Sequence, residues 1–358
     1  MQIPAVRERL QNIDYIDLIL WIFRAVIILL VAWGTIAAII DNPYSTSQWI
    51  NFIVFGIAQG SMYALIAIGY TLVYGVLFMI NFAHGEFFMS GILTATVFLA
   101  GPMAASGFME RQPVISLLII LIVSMLVSIA VALVTERVAY RPLRKAPRLV
   151  PLITAIGASF FWQYFFRGLY GSQSIPFPQI QALQGSFSLL GTQILKTQVL
   201  VVVVTIIVLI GLNFFIMRTK TGKAIRAVAE DKDVAALMGI DVDRTIAITF
   251  ATGASMAGVA AVLYAVVFRQ VQFFMGFIPG IKAFTAAVLG GIGSVPGAAV
   301  GGLFLGMFES VGPALFLQGL GIPAAHQLKD VIAFTMLVLV LIFRPQGIVG
   351  ERLGEKKA

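Results

Sequence analysis

Residues 71–100 read TLVYGVLFMINFAHGEFFMSGILTATVFLA. Both ends are apolar enough for a membrane, yet Asn81, His84 and Glu86 stand in the middle beside Gly85. Polar side chains at bilayer depth are costly and need partners or a function. Non-helical backbone there is tolerated only inside protein or against a cavity. The stretch therefore predicts a helix broken in mid-span, held in a bundle thick enough to hide the break. Asn81 is placed to cap the second half-helix through its side-chain oxygen, and Glu86 suits that half-helix's positive end. A pathway-lining turn and a pair of stapled half-helices both fit these residues. The other half of the chain has a second interruption, Leu289-Gly-Gly-Ile-Gly-Ser-Val-Pro-Gly297. Gly290, Gly291, Gly293 and Gly297 permit a tight turn, and Pro296 stops the first arm. Paired interruptions in corresponding places point to a transport path, while Gly297-x-x-x-Gly301 and Gly302-x-x-x-Gly306 equally suit close helix packing.

The remaining chain supports a membrane reading. Leu18–Ile40, Trp49–Gly69, Val114–Val134, Leu149–Phe166, Val199–Met217 and Thr245–Phe268 are apolar, each near the about 20 residues a crossing helix needs. Asp330–Phe343 is shorter. The period-two alternation of a barrel is absent. Charged residues make up 11% of 358, the apolar fraction is 59% and the mean hydropathy is +0.98, against about 25% charged in soluble domains. The chain has no Cys, and His84 and His326 are its only histidines, which excludes disulfide scaffolds and thiolate or His-rich metal centres. The expected class is all-α, a polytopic membrane helix bundle with broken or re-entrant helices. Leu18–Ile40 exceeds the about 7–15-residue core of a cleavable signal and reads as a retained helix, with Arg24 reaching the nearer interface.

Most of the 24 basic residues fall in four patches: Arg7 and Arg9; Arg137–Arg148; Arg218–Arg244; and Arg344 to Lys357. Such patches mark the cytoplasmic side, which puts both termini inside and makes the number of crossings even. The +8 net charge is thus a topology signal, and without an aromatic-rich basic groove no nucleic-acid partner is expected. Asp41–Gln48, Gly101–Pro113, Gly168–Gln198 and the region after Phe268 fall on the opposite side. A full crossing by Ala283–Ser310 would put the C-terminus outside, so a re-entrant hairpin pivoting near Gly290–Gly297 and facing the protein interior is expected. The domains are 1–48, a cytoplasmic segment with an extra transmembrane helix; 49–345, the transmembrane domain; and 346–358, a cytoplasmic tail.

Inside the basic loop Arg218–Arg244, Asp231 can cap a short helix and Gly239 is placed to close it in the left-handed conformation. Ala235 and Ala236 leave an indented, cytosol-facing knob. A docking helix and an ordinary amphipathic connector are the two readings. No catalytic set and no metal site emerges: Asp241 and Asp243 look like caps for the next helix, and Glu309 and Asp330 flank apolar segments near an interface. The glycine run around Gly290 lacks the Gly-x-x-x-x-Gly-Lys-Ser/Thr phosphate loop, and the few intramembrane acids argue against proton coupling.

Several stretches together resemble the membrane permeases of high-affinity branched-chain amino acid ABC importers, the Liv type. They are Tyr63-Ala-Leu-Ile-Ala-Ile-Gly-Tyr-Thr71, Met79–Glu86, Glu136-Arg-Val-Ala-Tyr-Arg-Pro142, Ala229–Ile240, Lys282–Ser294 and Arg344-Pro-Gln-Gly347. Leu18–Ile40 is an N-terminal extension relative to the shorter members. The resemblance implies the ABC importer permease fold, a second related permease, two ATPase subunits that bind ATP and magnesium, a periplasmic binding protein, and an amino acid substrate, in the inner membrane of a bacterium. No cofactor and no enzymatic activity would belong to this chain. It also implies that the loop bearing Glu230, Asp231, Ala235, Ala236 and Gly239 docks into an ATPase. Asn81, His84, Gly85 and Glu86, with Gly290, Gly291, Gly293 and Gly297, are then candidates for the path or its broken helices. Urea or short-amide import within the same architecture, and a self-contained secondary transporter or channel, are the alternatives.

Overall fold

The structure is a computed structural model that describes residues 15–41, 43–144, 146–147, 149–189, 191–344 and 346–348. The expectations for Arg7, Arg9, Lys145, Arg148 and the tail beyond Ile348 fall outside these residues. In chain order the helices are α1 (Tyr15–Asp41), α2 (Thr46–Leu77), α3 (His84–Ala95), α4 (Gly101–Ala105), α5 (Phe108–Arg111), α6 (Pro113–Thr135) and α7 (Leu149–Tyr170). Then follow α8 (Lys196–Arg218), α9 (Lys220–Glu230), α10 (Lys232–Leu237), α11 (Val242–Phe268), α12 (Phe277–Gly290), α13 (Val295–Gly312) and α14 (Lys329–Phe343). Single π turns join α3 to α4 and extend α6 and α13. Counted with these turns, nine helices among the described residues are long and apolar enough to cross a membrane. With 14 residues, α12 is too short, at about 21 Å. The chain is a polytopic membrane helix bundle.

Two small antiparallel sheets sit at one end. Strand β1 (Ile175–Pro176) pairs with β4 (Gln270–Val271), and β2 (Ser186–Leu189) forms a hairpin with β3 (Thr192–Leu195).

The core is built from two runs of four helices, α2–α3–α6–α7 and α11–α12–α13–α14, that repeat one construction. Each opens with a long helix closed by a non-glycine residue in the left-handed region, Phe78 at φ 55° and Arg269 at φ 58°. A short irregular break and a short helix come next. The third helix of each run ends in a π turn. The runs interlock by exchange: α2 packs chiefly on α13, and α11 on α6, while α2 and α11 cross each other. The break paired with residues 78–83 is therefore Arg269–Gly276, not the glycine-rich Leu289–Gly297 that the sequence suggested. The true counterpart carries no glycine cluster, because its turn is made by an αL cap.

Small residues set the closest approaches, since backbones can meet only where no side chain intervenes. A Cβ on Gly60 would lie 2.8 Å from the Leu303 Cα, and one on Gly258 2.8 Å from the Met125 Cα. Gly302 lies against Ala64 and Gly306 against Gly60, which makes α2 and α13 antiparallel. Gly306→Ala is expected to force these helices apart and cost about 1–3 kcal/mol, read as a lowered thermal midpoint of the purified chain. Gly211→Ala, where nothing lies within 4 Å, serves as the neutral comparison.

Candidate path and coupling sites

At the crossing of α2 and α11, a Cβ on Gly253 would meet the Gly69 carbonyl oxygen at 3.0 Å. The start of α3 wedges in beside it. His84 is fully buried against Tyr70 and Phe87, with ring centroids 4.6 and 5.6 Å away, and neither ring nitrogen has a side-chain partner. Gly85 lies against Gly276 and Gly280 at the start of α12, a Cβ on Gly280 falling 3.0 Å from the Gly85 Cα. The first turns of the two short helices thus meet in the middle of the bundle.

Asn81 is buried but does not cap α3; that position belongs to Ala83, whose side chain has no oxygen. The Asn81 Oδ1 accepts instead from the Ala83 N–H at 3.1 Å and from the Tyr140 hydroxyl at 2.6 Å. Asn81 therefore shapes the turn one step before the helix and ties it to the π turn after α6. Glu86 stands in the first turn of α3, and its Oε1 accepts from Gln163 Nε2 at 2.7 Å and Ser159 Oγ at 3.0 Å, both on α7. Glu86 is 1% exposed. Glu86→Ala would take away the acceptor of two buried donors, leaving Gln163 Nε2 only the Ser159 hydroxyl at 3.3 Å, at a cost of about 1–3 kcal/mol, whereas Glu86→Gln keeps an acceptor at that place. A loss of folded yield with Ala and recovery with Gln, measured by size-exclusion profile, is the expected outcome.

The second glycine cluster lies elsewhere than expected. Gly290 packs on Gly297, closing the turn between antiparallel α12 and α13. Gly291 and Gly293 take φ of 106° and 101°. Gly293 and Pro296 are exposed while Gly290, Gly291 and Gly297 are buried, so the tip of the turn reaches the surface of the bundle and its base stays packed inside. It abuts the segment after α14: the Ile348 N–H donates to the Leu289 carbonyl at 2.8 Å, and Gly347 lies on Gly291. The reason is length. Helix α13 with its π turn has 23 residues, enough to run through the bundle, so the hairpin tip emerges where α14 ends. The structure does not bring these glycines to the Asn81–Glu86 break.

A charged cluster escaped the sequence reading. Glu309, placed by that reading near an interface, is 2% exposed on α13. Its carboxylate accepts from Gln59 Nε2 at 2.7 Å and the Tyr63 hydroxyl at 2.8 Å, and faces the Lys282 ammonium at 2.8 Å. Lys282 on α12 also reaches Asp330 on α14 at 2.6 Å. Four helices meet in this cluster. Its sequence signals are lone charges at apolar runs, Lys282 and Glu309, and nothing in the sequence pairs them with partners that lie up to 250 positions away.

Asp231 caps α10 as its position predicts, with Oδ1 accepting from the Asp233 and Val234 N–H groups at 2.9 and 3.0 Å. Gly239 has φ 80°, and the chain closes with the Ile240 N–H on the Ala235 carbonyl at 3.1 Å. Ala235 is buried toward the bundle, while Ala236, Glu230 and Gly239 are exposed. The prominent groups are ones the sequence reading passed over: Leu237 is 86% exposed, Met238 78% and Val234 54%. An apolar knob in a charged loop outside the spans is an unusual exposure and a candidate contact surface. Its base touches the break: the Lys232 ammonium lies 5.4 Å from the Phe78 ring centroid, and the Ala229 Cβ is 3.9 Å from a Cβ built on Gly75. Burial holds the Lys232 ammonium below the usual lysine range.

Comparison with known proteins gives a consistent picture. The family described as branched-chain amino acid transport system / permease component matches residues 52–341. The chain is 45% identical over 314 residues to the high-affinity branched-chain amino acid transport system permease protein BraD of Pseudomonas aeruginosa, covering 86% of this chain and 98% of that one. It is 42% identical over 308 residues to LivH of Salmonella typhimurium and 40% over 314 residues to LivH of Escherichia coli K12, each with 84% of this chain and 95% of the relative covered. Both carry that same permease description. No solved structure matches.

Proposed function

The chain belongs to the branched-chain amino acid transport system permease family, and from that premise we propose that it is the translocating subunit of an ATP-driven importer of branched-chain or other neutral amino acids. The assembly pairs it with a second permease, two cytoplasmic ATPases that hold ATP and magnesium, and a periplasmic binding protein. It sits in the bacterial inner membrane with both termini cytoplasmic: the Arg269–Gly276 break and α12 together return the chain across the bilayer, a tenth traverse beside the nine long helices among the described residues. The chain itself moves substrate and catalyses no reaction.

The observation that carries the coupling reading is the knob Val234–Leu237–Met238 on α10. It is apolar and exposed, and its base rests on the αL cap that ends α2. A push on α10 from an ATPase reaches Phe78, and through it the turn that starts α3. Asn81, His84, Gly85 and Glu86 move with that turn, and α12, which meets α3 at Gly85, moves against it. The Gly290–Gly297 turn and the tail after α14 form the neighbouring cytoplasmic surface.

Uptake of labelled leucine into cells carrying the complete assembly tests the reading, with labelled urea and acetamide measured in parallel. ATP-dependent leucine uptake is expected. Uptake of urea or acetamide in its place would assign the amide importer, and uptake without any ATPase would assign a self-contained carrier. A tag after residue 348 that is reached only from the periplasm would overturn the orientation.

A further inference from the structure

The end of the bundle that carries both sheets also holds a cavity of about 370 Å³, within the ~300–1,000 Å³ range of small-molecule sites. It lies between the starts of α2 and α8, the end of α11 and the segment leading into the β2–β3 hairpin. Phe55, Leu195, Val267 and Phe268 give it apolar walls, and Gln198, Arg269, Gln184 and Thr197 add polar groups. Gln198 is 7% exposed, and its side-chain carbonyl has no hydrogen-bond partner. A buried acceptor without a donor costs stability, so its persistence beside a cavity points to an occupant with an N–H to give. Arg269 supplies the opposite need. It pairs with no carboxylate among the described residues, and residues 171–198 contain no Asp or Glu. The cavity thus offers a cation, a lone acceptor and an apolar wall.

We infer that this cavity binds an aliphatic α-amino acid as its zwitterion. The carboxylate faces the Arg269 guanidinium, the ammonium donates to the Gln198 carbonyl, and the side chain lies on Phe55, Leu195, Val267 and Phe268. The inference rests on the importer reading above and adds a staging site at the face where substrate arrives. A phospholipid tail would satisfy the walls but leave Gln198 and Arg269 unanswered.

The chain has no native Cys, which makes a single reporter clean. In the assembled importer, with Leu183→Cys lining the cavity, maleimide labelling of this chain is timed with and without leucine. Labelling is expected to slow about tenfold at a leucine concentration ten times its dissociation constant. Adding Gln198→Leu is expected to raise the leucine needed for half protection at least about tenfold, as is Arg269→Gln. Leu195→Cys provides an independent reporter if the first variant fails to fold. Unchanged labelling in an assembly that imports leucine overturns the site and leaves the importer reading standing. Labelling slowed as much by 1-octanol as by leucine, or protection indifferent to Gln198→Leu, also overturns it. Import of labelled leucine by the wild-type assembly is measured alongside, so that failure of the importer reading is seen separately.

Discussion

Lys282→Met is expected to destabilise the bundle by about 3–5 kcal/mol, the usual cost of leaving one member of a buried ion pair alone. The Lys282 and Glu309 side chains are 4% and 0% exposed, so no solvent replaces the lost ammonium. The carboxylate then keeps only neutral donors, Tyr63 and Gln59. The double variant Lys282→Met/Glu309→Gln removes both charges and keeps an acceptor for those donors. It should recover most of the loss, because apolar or neutral replacements of a whole buried pair are often close to neutral. Asp330→Asn should cost far less, since that side chain is 43% exposed and solvent screens its share of the attraction. Thermal midpoints of the purified chain in one detergent measure all three. An unaffected Lys282→Met midpoint would remove the claim that the cluster ties α2, α12, α13 and α14 together.

Gly239→Val is expected to cut ATP-driven leucine uptake about tenfold while ATP hydrolysis continues and the chain still inserts. The left-handed conformation at φ 80° costs a residue with a Cβ roughly 1–2 kcal/mol, near a factor of ten in population. A Cβ there would touch nothing within 4 Å, so the effect comes from the backbone and leaves the bundle intact. The loop would leave the conformation that presents Leu237 and Met238. Gly239→Asn, which tolerates this conformation, should retain most of the uptake. Wild-type uptake by Gly239→Val would remove the coupling role of α10. Leu237→Ala should weaken co-purification of the ATPase without altering the thermal midpoint.

The helical membrane class was legible because apolar length and charge placement are properties of short segments. The break at Asn81–Glu86 was legible for the same reason: three polar groups in a span are visible without knowing their partners. The cap Asp231 and the closing Gly239 likewise follow from local backbone rules. What the sequence could not show depends on distant residues. Glu309 looks peripheral until Gln59, Tyr63 and Lys282 arrive from three other helices. The partner of the first break was missed because Arg269, a residue no glycine rule selects, makes the same left-handed turn as Phe78. The knob was read as small because Ala235 and Ala236 drew attention, whereas a six-residue helix can show only part of its circumference, and here it shows Leu237.

Helix α1 and the residues just past it meet one late stretch of the chain, residues 316–343. Gly34 lies on Phe316 and on Gly319, and Arg24 stacks over the Phe343 ring at 4.2 Å. Just past its end, the Tyr44 hydroxyl meets His326 Nε2 at 3.1 Å, 282 positions on. Domains form in order of synthesis, at about 5–20 residues per second, so α1 waits for a surface made some 282 positions later. That interval lasts some tens of seconds at such speeds. A helix left alone in lipid for so long must be content there. Only 11% of its span window is buried even in the finished fold, so most of its surface stays outside the contacts of this chain after docking. Its attachment therefore closes assembly: a nascent chain stopped before Pro313 should carry α1 free to move, and release of that stop should fix it in place.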